Sequence, residues 1–260
     1  MIITSSSNQR IKDIKKLIKD AGTRKQTGLY VTEGERVVLE VPPELLDTLV
    51  VAEGYTGSLP EAGEVLTVSD SVFQSLADTK CSQGILAVVK SKKLSFDEFV
   101  GKAVKGKIPF ILILEHIQDP GNLGTIIRTA EGAGVTGVCL GGETCDLYNP
   151  KVARSTMGSV YRVPVYRSEN LIETVRDLKA LGISTYAAHL SGNDFYAEDY
   201  QGPVAFMIGN EGNGLSDALI AEANRLIRIP MCGKLESLNA AVSAAVMSYE
   251  VLRQRITRFT

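Results

Sequence analysis

Three short stretches combine amide, carboxylate, hydroxyl and guanidinium side chains with glycines, a mixture suited to holding a polar substrate against main-chain groups. Gln118-Asp119-Pro120-Gly121-Asn122-Leu123-Gly124 leads into an apolar helix that carries Arg128. Gly209-Asn210-Glu211-Gly212-Asn213-Gly214 has three glycines in six positions. Pro230-Met231-Cys232-Gly233-Lys234-Leu235-Glu236-Ser237-Leu238-Asn239 leads into a second long apolar helix. Glycine lets a ligand approach amides and carbonyls closely, as in loops that bind nucleoside-like ligands. The planar fork of arginine favours phosphate, so Arg128 suits an arriving phosphate or ribose. Each stretch also has a commonplace reading. Asn122 and Ser237 can be helix N-caps, residues 209–214 a plain turn, and Arg128 a salt-bridged or stem-packed surface residue.

Each loop follows an apolar run, and those runs indicate what positions the loops. Residues 110–114, 135–140, 184–188, 204–209 and 226–229 read as strands. They alternate with helices over 126–133, 171–181, 215–223 and about 238–255. Continuous apolar strands alternating with helices imply a parallel sheet covered on both faces. Ligands of such sheets sit beyond the carboxyl ends of the strands, where all three loops would lie. Upstream, Ile11, Ile14, Leu17 and Ile18 recur at helical spacing after Ser7 or Asn8, and short strands fit 29–32, 48–52, 65–68 and 85–89. A small α/β domain over residues 1–90 is expected, with the lysine-rich 91–107 as a linker holding a helical turn or two and 108–260 as the second domain.

At 260 residues, 44% hydrophobic and 22% charged, the chain can bury a sizeable core. No apolar run approaches the roughly 18 residues that span a bilayer, and the first residues lack the order of a signal peptide. Cys81, Cys139, Cys145 and Cys232 are scattered, and only His116 and His189 could join them at a metal. Neither a disulfide framework nor a metal site is expected, and a reducing cytoplasm is. Net charge is −2, yet Arg10, Lys12, Lys15, Lys16, Lys19, Arg24 and Lys25 face only Asp13 and Asp20 in the first 25 residues. A second basic run holds Lys90, Lys92, Lys93, Lys102, Lys105 and Lys107. Two such runs suggest an anionic partner such as RNA. Gly132-Ala133-Gly134-Val135-Thr136-Gly137 matches a dinucleotide fingerprint in form only. It leads from helix into strand, the reverse of the order that brings phosphates to a helix N-terminus.

Taken together, the loops resemble a known family. Asp119-Pro120-Gly121-Asn122-Leu123-Gly124-Thr125-Ile126-Ile127-Arg128 resembles the first motif of the SpoU/TrmH RNA methyltransferases of the SPOUT class. Ile208-Gly209-Asn210-Glu211-Gly212-Asn213-Gly214-Leu215 resembles the second, and Ile229-Pro230-Met231 with Glu236-Ser237-Leu238-Asn239-Ala240-Ala241-Val242 the third. Residues 4–12 and Tyr30-Val31-Thr32-Glu33-Gly34 look like the substrate-binding domain of the same family. The resemblance implies an α/β SPOUT domain with a deep trefoil knot, an N-terminal α/β substrate-binding domain, a homodimer and S-adenosylmethionine as methyl donor. It implies methylation of a ribose 2′-hydroxyl, with ribosomal RNA favoured over transfer RNA. Gly209, Ile229 and Leu238 would contact the donor, and Asn122, Arg128, Glu211, Ser237 and Asn239 would form the reaction centre, without metal or membrane. Methyl transfer from a sulfonium needs alignment, removal of the hydroxyl proton and little water. The family's counterpart of Arg128 is proposed as general base. A neutral guanidine is costly with a pKa above about 12, and orienting the ribose, holding a phosphate or stabilising a developing alkoxide would also explain it. Competing readings are a transfer RNA substrate, base methylation and a non-catalytic RNA-binding assembly factor that kept the fold.

Overall fold

The computed structural model describes residues 2–77, 82–210 and 212–256. In the first 92 residues, apolar side chains alternate along short strands and so serve both faces of one sheet. The strands are β1 (Ile2–Ile3), β2 (Leu29–Glu33), β3 (Leu46–Ala52), β4 (Glu64–Val68) and β5 (Ile85–Lys90), in the order β1-β4-β3-β5-β2. β4 runs parallel to β1 and β3, whereas β5 is antiparallel to β2 and β3. Val31, Val50, Leu86 and Val88 pack on one face with Ile11, Ile14 and Leu17 of the helix Gln9–Lys19. Asn8 caps that helix by accepting from the Arg10 amide. Tyr30, Leu49, Val51, Ile85, Ala87 and Val89 form the core of the other face, the outcome expected of a period of two.

That second face is closed by a distant segment. The chain forms two units, Met1–Lys92 with Asp146–Tyr161, and Lys93–Cys145 with Arg162–Thr260. Ala153 of the helix Pro150–Ser155 enters the core beside Tyr30 and Val38, flanked by Tyr148 and Tyr161. The Tyr30 and Tyr148 rings lie 4.5 Å apart. The buried Arg24 donates from Nε to Asp146 (2.7 Å) and from Nη1 to the carbonyls of Leu17 (2.7 Å) and Ile18 (3.2 Å). A buried guanidinium needs such partners, and residue 146 supplies the countercharge. Residues 146–161, expected with the second domain, therefore fold with the first. Residues 91–107 are more than the expected linker with a helical turn or two. They hold the helix Phe96–Val104, opened by a Ser95–Glu98 capping box, whose Phe99 and Ala103 are buried in the core of the second unit.

The second unit is built on β6 (Phe110–Glu115), β7 (Gly137–Gly141), β8 (Val165–Arg167), β9 (Ser184–Asp194), β10 (Val204–Ile208) and β11 (Arg225–Arg228). All pairings are parallel, in the order β11-β9-β10-β6-β7-β8. Every residue of β6, β7 and β10 is buried, as a parallel sheet with two covered faces requires. Ile111, Ile113, Ala205 and Met207 pack against Phe99 and against Val175 and Leu178 of the helix Leu171–Ala180. The helices Pro120–Gly132 and Ala240–Ile256 pack on each other. Near the end of the last helix, Arg255 lies over the Phe110 ring and donates to the carbonyls of Ile108, Pro109, Tyr200 and Gly202. The chain leaves β6 toward β7 on one side, whereas β10 lies on the other. Such a reversal of strand order opens a crevice at the carboxyl ends. Gly134, in the fingerprint look-alike, follows the helix end at φ +75°, a conformation glycine adopts without strain.

Candidate active site

The loop after β10 closes on itself. Asn210 and Gly214 exchange backbone hydrogen bonds of 3.2 and 2.8 Å, and the Asn210 Oδ1 accepts from the amides of Gly212 (2.6 Å) and Asn213 (3.2 Å). A Cβ on Gly209 would collide with the carbonyl of Gly214, so the ring closes only around glycine. The end of β6 grips this ring from the side. His116 stands at φ 57° and its carbonyl accepts from Asn210 Nδ2 (3.2 Å). The His116 Nδ1 accepts from the Glu143 amide at 3.0 Å, which leaves the proton of a neutral ring on Nε2. The buried Glu115 accepts from the amide (2.7 Å) and the hydroxyl (2.8 Å) of Ser216.

A cavity of about 430 Å³ opens where β10 and β11 end, beside the middle of β9. This volume falls in the usual range for small-molecule pockets of about 300–1,000 Å³. Gly209, Asn210, Gly212, Asn213 and Gly214 form one wall. Ile229, Met231, Ser237 and Leu238 form a second, and Met247 of the last helix closes it behind. Ala188, His189 and Leu190 form the third wall. They belong to a bulge in β9: Leu226 of β11 pairs with Ala187, but the next residue, Ile227, pairs with Asn193. The residues between are displaced from the ladder, which re-aims their side chains. Asp217 and Glu236 also line the cavity, with Arg228, so both signs of charge are present. Apolar side chains and several polar ones share the lining with the main-chain groups of Gly209, Gly212 and Gly214.

The two asparagines meet. Asn239 Nδ2 donates to Asn122 Oδ1 at 3.1 Å, and Asn239 Oδ1 accepts from the amides of Ala241 (2.9 Å) and Val242 (3.3 Å). Asn239 is thus the N-cap of the helix Ala240–Ile256, the role expected of Ser237. Ser237 comes before Leu238 and Asn239, ahead of the helix, and lines the cavity. The cap of the helix Pro120–Gly132 is likewise Asp119, which accepts from the Asn122 amide (2.8 Å) with Pro120 at the first helical position. Relieved of capping, the Asn122 side chain is left to face Asn239.

Of the expected site residues, Gly209, Ile229, Ser237 and Leu238 converge on the cavity, and Asn239, which follows Leu238, pairs with Asn122. The loop 118–124 does not line the cavity; the β9 bulge takes that wall. Arg128 is exposed on the helix Pro120–Gly132, outside the lining, and makes no ion pair among the described residues. The salt-bridged alternative for it is therefore absent there. Glu211 lies outside the described residues. Sequence reasoning misses Glu115, His116 and His189, since the chain offers only a strand end and two isolated histidines at those positions. Among the described residues no cluster of His, Cys, Asp and Glu could hold a metal ion.

These loops, on this sheet, match a defined family. The SpoU rRNA Methylase family profile matches residues 109–249, more than half the chain, and the MRM3-like substrate binding domain profile matches residues 8–87. The chain belongs to the SpoU rRNA methylase family and carries the N-terminal substrate-binding domain. It is similar to the 23S rRNA (guanosine(2553)-2'-O)-methyltransferase RlmP of Bacillus subtilis, 37% identical over 254 residues, 96% of this chain and 98% of that protein. Among solved structures, the SpoU methyltransferase AviRb of Streptomyces viridochromogenes, in complex with the cofactor AdoMet, has a TM-score of 0.84 and 27% identity, with 96% and 99% of the two chains covered. An AdoMet-bound rRNA methyltransferase of Sinorhizobium meliloti has a TM-score of 0.84 and 31% identity over 97% of each chain.

Proposed function

We propose that this chain transfers a methyl group from S-adenosylmethionine to a ribose 2′-hydroxyl of large-subunit ribosomal RNA. The observation that carries this reading is the cavity of about 430 Å³ between the β9 bulge and the carboxyl ends of β10 and β11, walled by Gly209, Asn210, Gly212, Asn213 and Gly214 and by Ile229, Ser237 and Leu238. The near full-length likeness to an enzyme named for a 23S ribosomal guanosine favours ribosomal over transfer RNA. The donor, when bound, supplies a methyl group activated on a positively charged sulfur. Gly209, Ile229 and Leu238 would hold it through main-chain groups and apolar contact, with water kept out by Met231 and Met247. Asn239, locked by its cap, orients Asn122, and the pair aligns the incoming ribose. Arg128, exposed and without an ion pair among the described residues, stabilises the developing alkoxide or the neighbouring phosphate. Ser237 and Glu211 complete the reaction centre, Glu211 on the family motif alone.

The first unit binds the RNA. Lys12, Lys15, Lys16 and Lys19 fall within an arc of about 100° on the helix Gln9–Lys19. They turn away from the buried Ile11, Ile14 and Leu17 and make no ion pair among the described residues. A homodimer is part of the same reading, supported by the exposed Val242, Tyr249 and Ile256, seven residues apart along the last helix. So are a deep trefoil knot in the second domain and a cytoplasmic location. The likeness to solved SpoU structures supports the knot. No helix among the described residues is long and apolar enough to cross a membrane.

The test is incubation with labelled S-adenosylmethionine and RNA from cells lacking this protein, followed by nucleoside mass spectrometry. Label in a 2′-O-methyl nucleoside of large-subunit RNA is expected. Label only in transfer RNA would overturn the substrate, a methylated base would overturn the chemistry, and donor binding absent by calorimetry would overturn the enzyme.

A further inference from the structure

We infer that Glu115 is a positioning residue for methyl transfer: its carboxylate sets the shape of the donor-facing loop without touching the cavity. The inference rests on the donor site proposed above. Glu115 is the last residue of β6 and is only 7% exposed. One carboxylate oxygen accepts from the Ser216 amide at 2.7 Å and the other from the Ser216 hydroxyl at 2.8 Å. Ser216 stands two residues beyond Gly214, where the closed loop ends, and its Oγ also accepts from the Leu219 amide at 3.3 Å. By taking the hydroxyl proton, the carboxylate leaves the Ser216 lone pairs for that helix N-terminus. The His116 carbonyl, one residue on, holds the start of the same loop through Asn210 Nδ2. Two consecutive residues at the end of β6 therefore hold the loop at both its ends, and between those points lie the main-chain groups that wall the cavity. Glu115 and Ser216 are themselves absent from the lining, so their effect on the donor passes through the loop.

The second grip is the weaker in chemistry. The Asn210–His116 bond joins neutral groups, whereas the Glu115 pair is charge-assisted and roughly twice as strong. Loss of the carboxylate should loosen the loop at Ser216 and weaken donor binding before it affects RNA binding. A residue needed only for folding would lower the melting temperature and leave the donor affinity of folded protein unchanged.

The experiment compares wild type with Glu115→Gln, Ser216→Ala and Ser216→Thr by calorimetry with S-adenosylmethionine and by steady-state methylation. Glu115→Gln is expected to raise the donor Kd and KM at least about tenfold, the size of one charge-assisted hydrogen bond. Its kcat at saturating donor and its KM for RNA stay within about twofold. Ser216→Ala raises the donor Kd less, adds little to Glu115→Gln in the double variant, and Ser216→Thr restores wild-type affinity. A folded Glu115→Gln with wild-type donor affinity overturns the inference. Should Glu115→Gln fail to fold, Ser216→Ala decides: unchanged donor affinity overturns the inference, and a raised Kd rescued by Ser216→Thr supports it. Wild-type protein that binds no donor at all refutes the proposed function, an outcome distinct from either.

Discussion

Asn239 is expected to have two separable duties, and replacing it distinguishes them. Its Oδ1 caps the last helix through the amides of Ala241 and Val242, and its Nδ2 holds Asn122 at 3.1 Å. Asn239→Ala removes both. Loss of an asparagine cap costs about 1 kcal/mol, and the exposed amide pair adds at most about 0.5–1 kcal/mol. For a chain of this size, the melting temperature should fall by roughly 3–6 °C. The effect on rate is larger in kind, because a displacement of about 1 Å in a positioning group can cost about 100-fold. Single-turnover methylation should therefore slow by roughly 10- to 100-fold. Asn239→Ser keeps a capping oxygen of similar quality and discards the amide. It should recover the melting temperature and not the rate. Thermal melting without RNA and single-turnover transfer with saturating donor measure the two quantities. A serine variant as fast as wild type would show that the amide positions nothing, and an alanine variant with an unchanged melting temperature would show that the cap is dispensable.

Arg128→Ala should abolish methyl transfer while donor affinity by calorimetry stays within about twofold, since Arg128 lies outside the cavity lining; retained activity would remove it from the reaction centre. Replacing Lys12, Lys15, Lys16 and Lys19 together by Gln should weaken RNA binding and flatten its salt dependence by about 0.7–0.9 logarithmic units per lost phosphate contact. An unchanged slope would place the RNA elsewhere. Arg255→Ala leaves the carbonyls of Ile108, Pro109, Tyr200 and Gly202 without their shared donor. It should cost about 2–3 kcal/mol, read as a drop of roughly 5–10 °C in the melting temperature.

Local chemistry made the candidate site legible. Gly209 must be glycine because its own loop returns against it, and the run Gly-Asn-Glu-Gly-Asn-Gly already carries that constraint. The parallel sheet was legible because every residue of strands such as 110–115 is buried, and burial writes itself as continuous apolar sequence. What depended on distant partners was hidden. Ser237 and Asn239 are equally good caps by residue type; where the last helix begins decides between them. The β9 bulge comes from a slip against β11, more than thirty residues further on. Glu115 reads as the polar end of a strand, and its partner is 101 residues away. Residues 146–161 carry no signal that their apolar side chains serve the other unit.

That last arrangement has a consequence for how the protein can be taken apart. The polypeptide passes from one unit to the other three times, near residues 92, 145 and 161. A cut after residue 92 would yield two fragments, but the smaller would still clasp Asp146, Tyr148 and Ala153 of the larger through Arg24 and Tyr30. The pieces should behave as halves of a complementing pair, eluting together until denatured. Conversely, deleting the first 92 residues does not liberate a clean catalytic module. It strips the cover from an apolar strip at 148–161, which would then need new polar residues before the truncated enzyme could stay in solution.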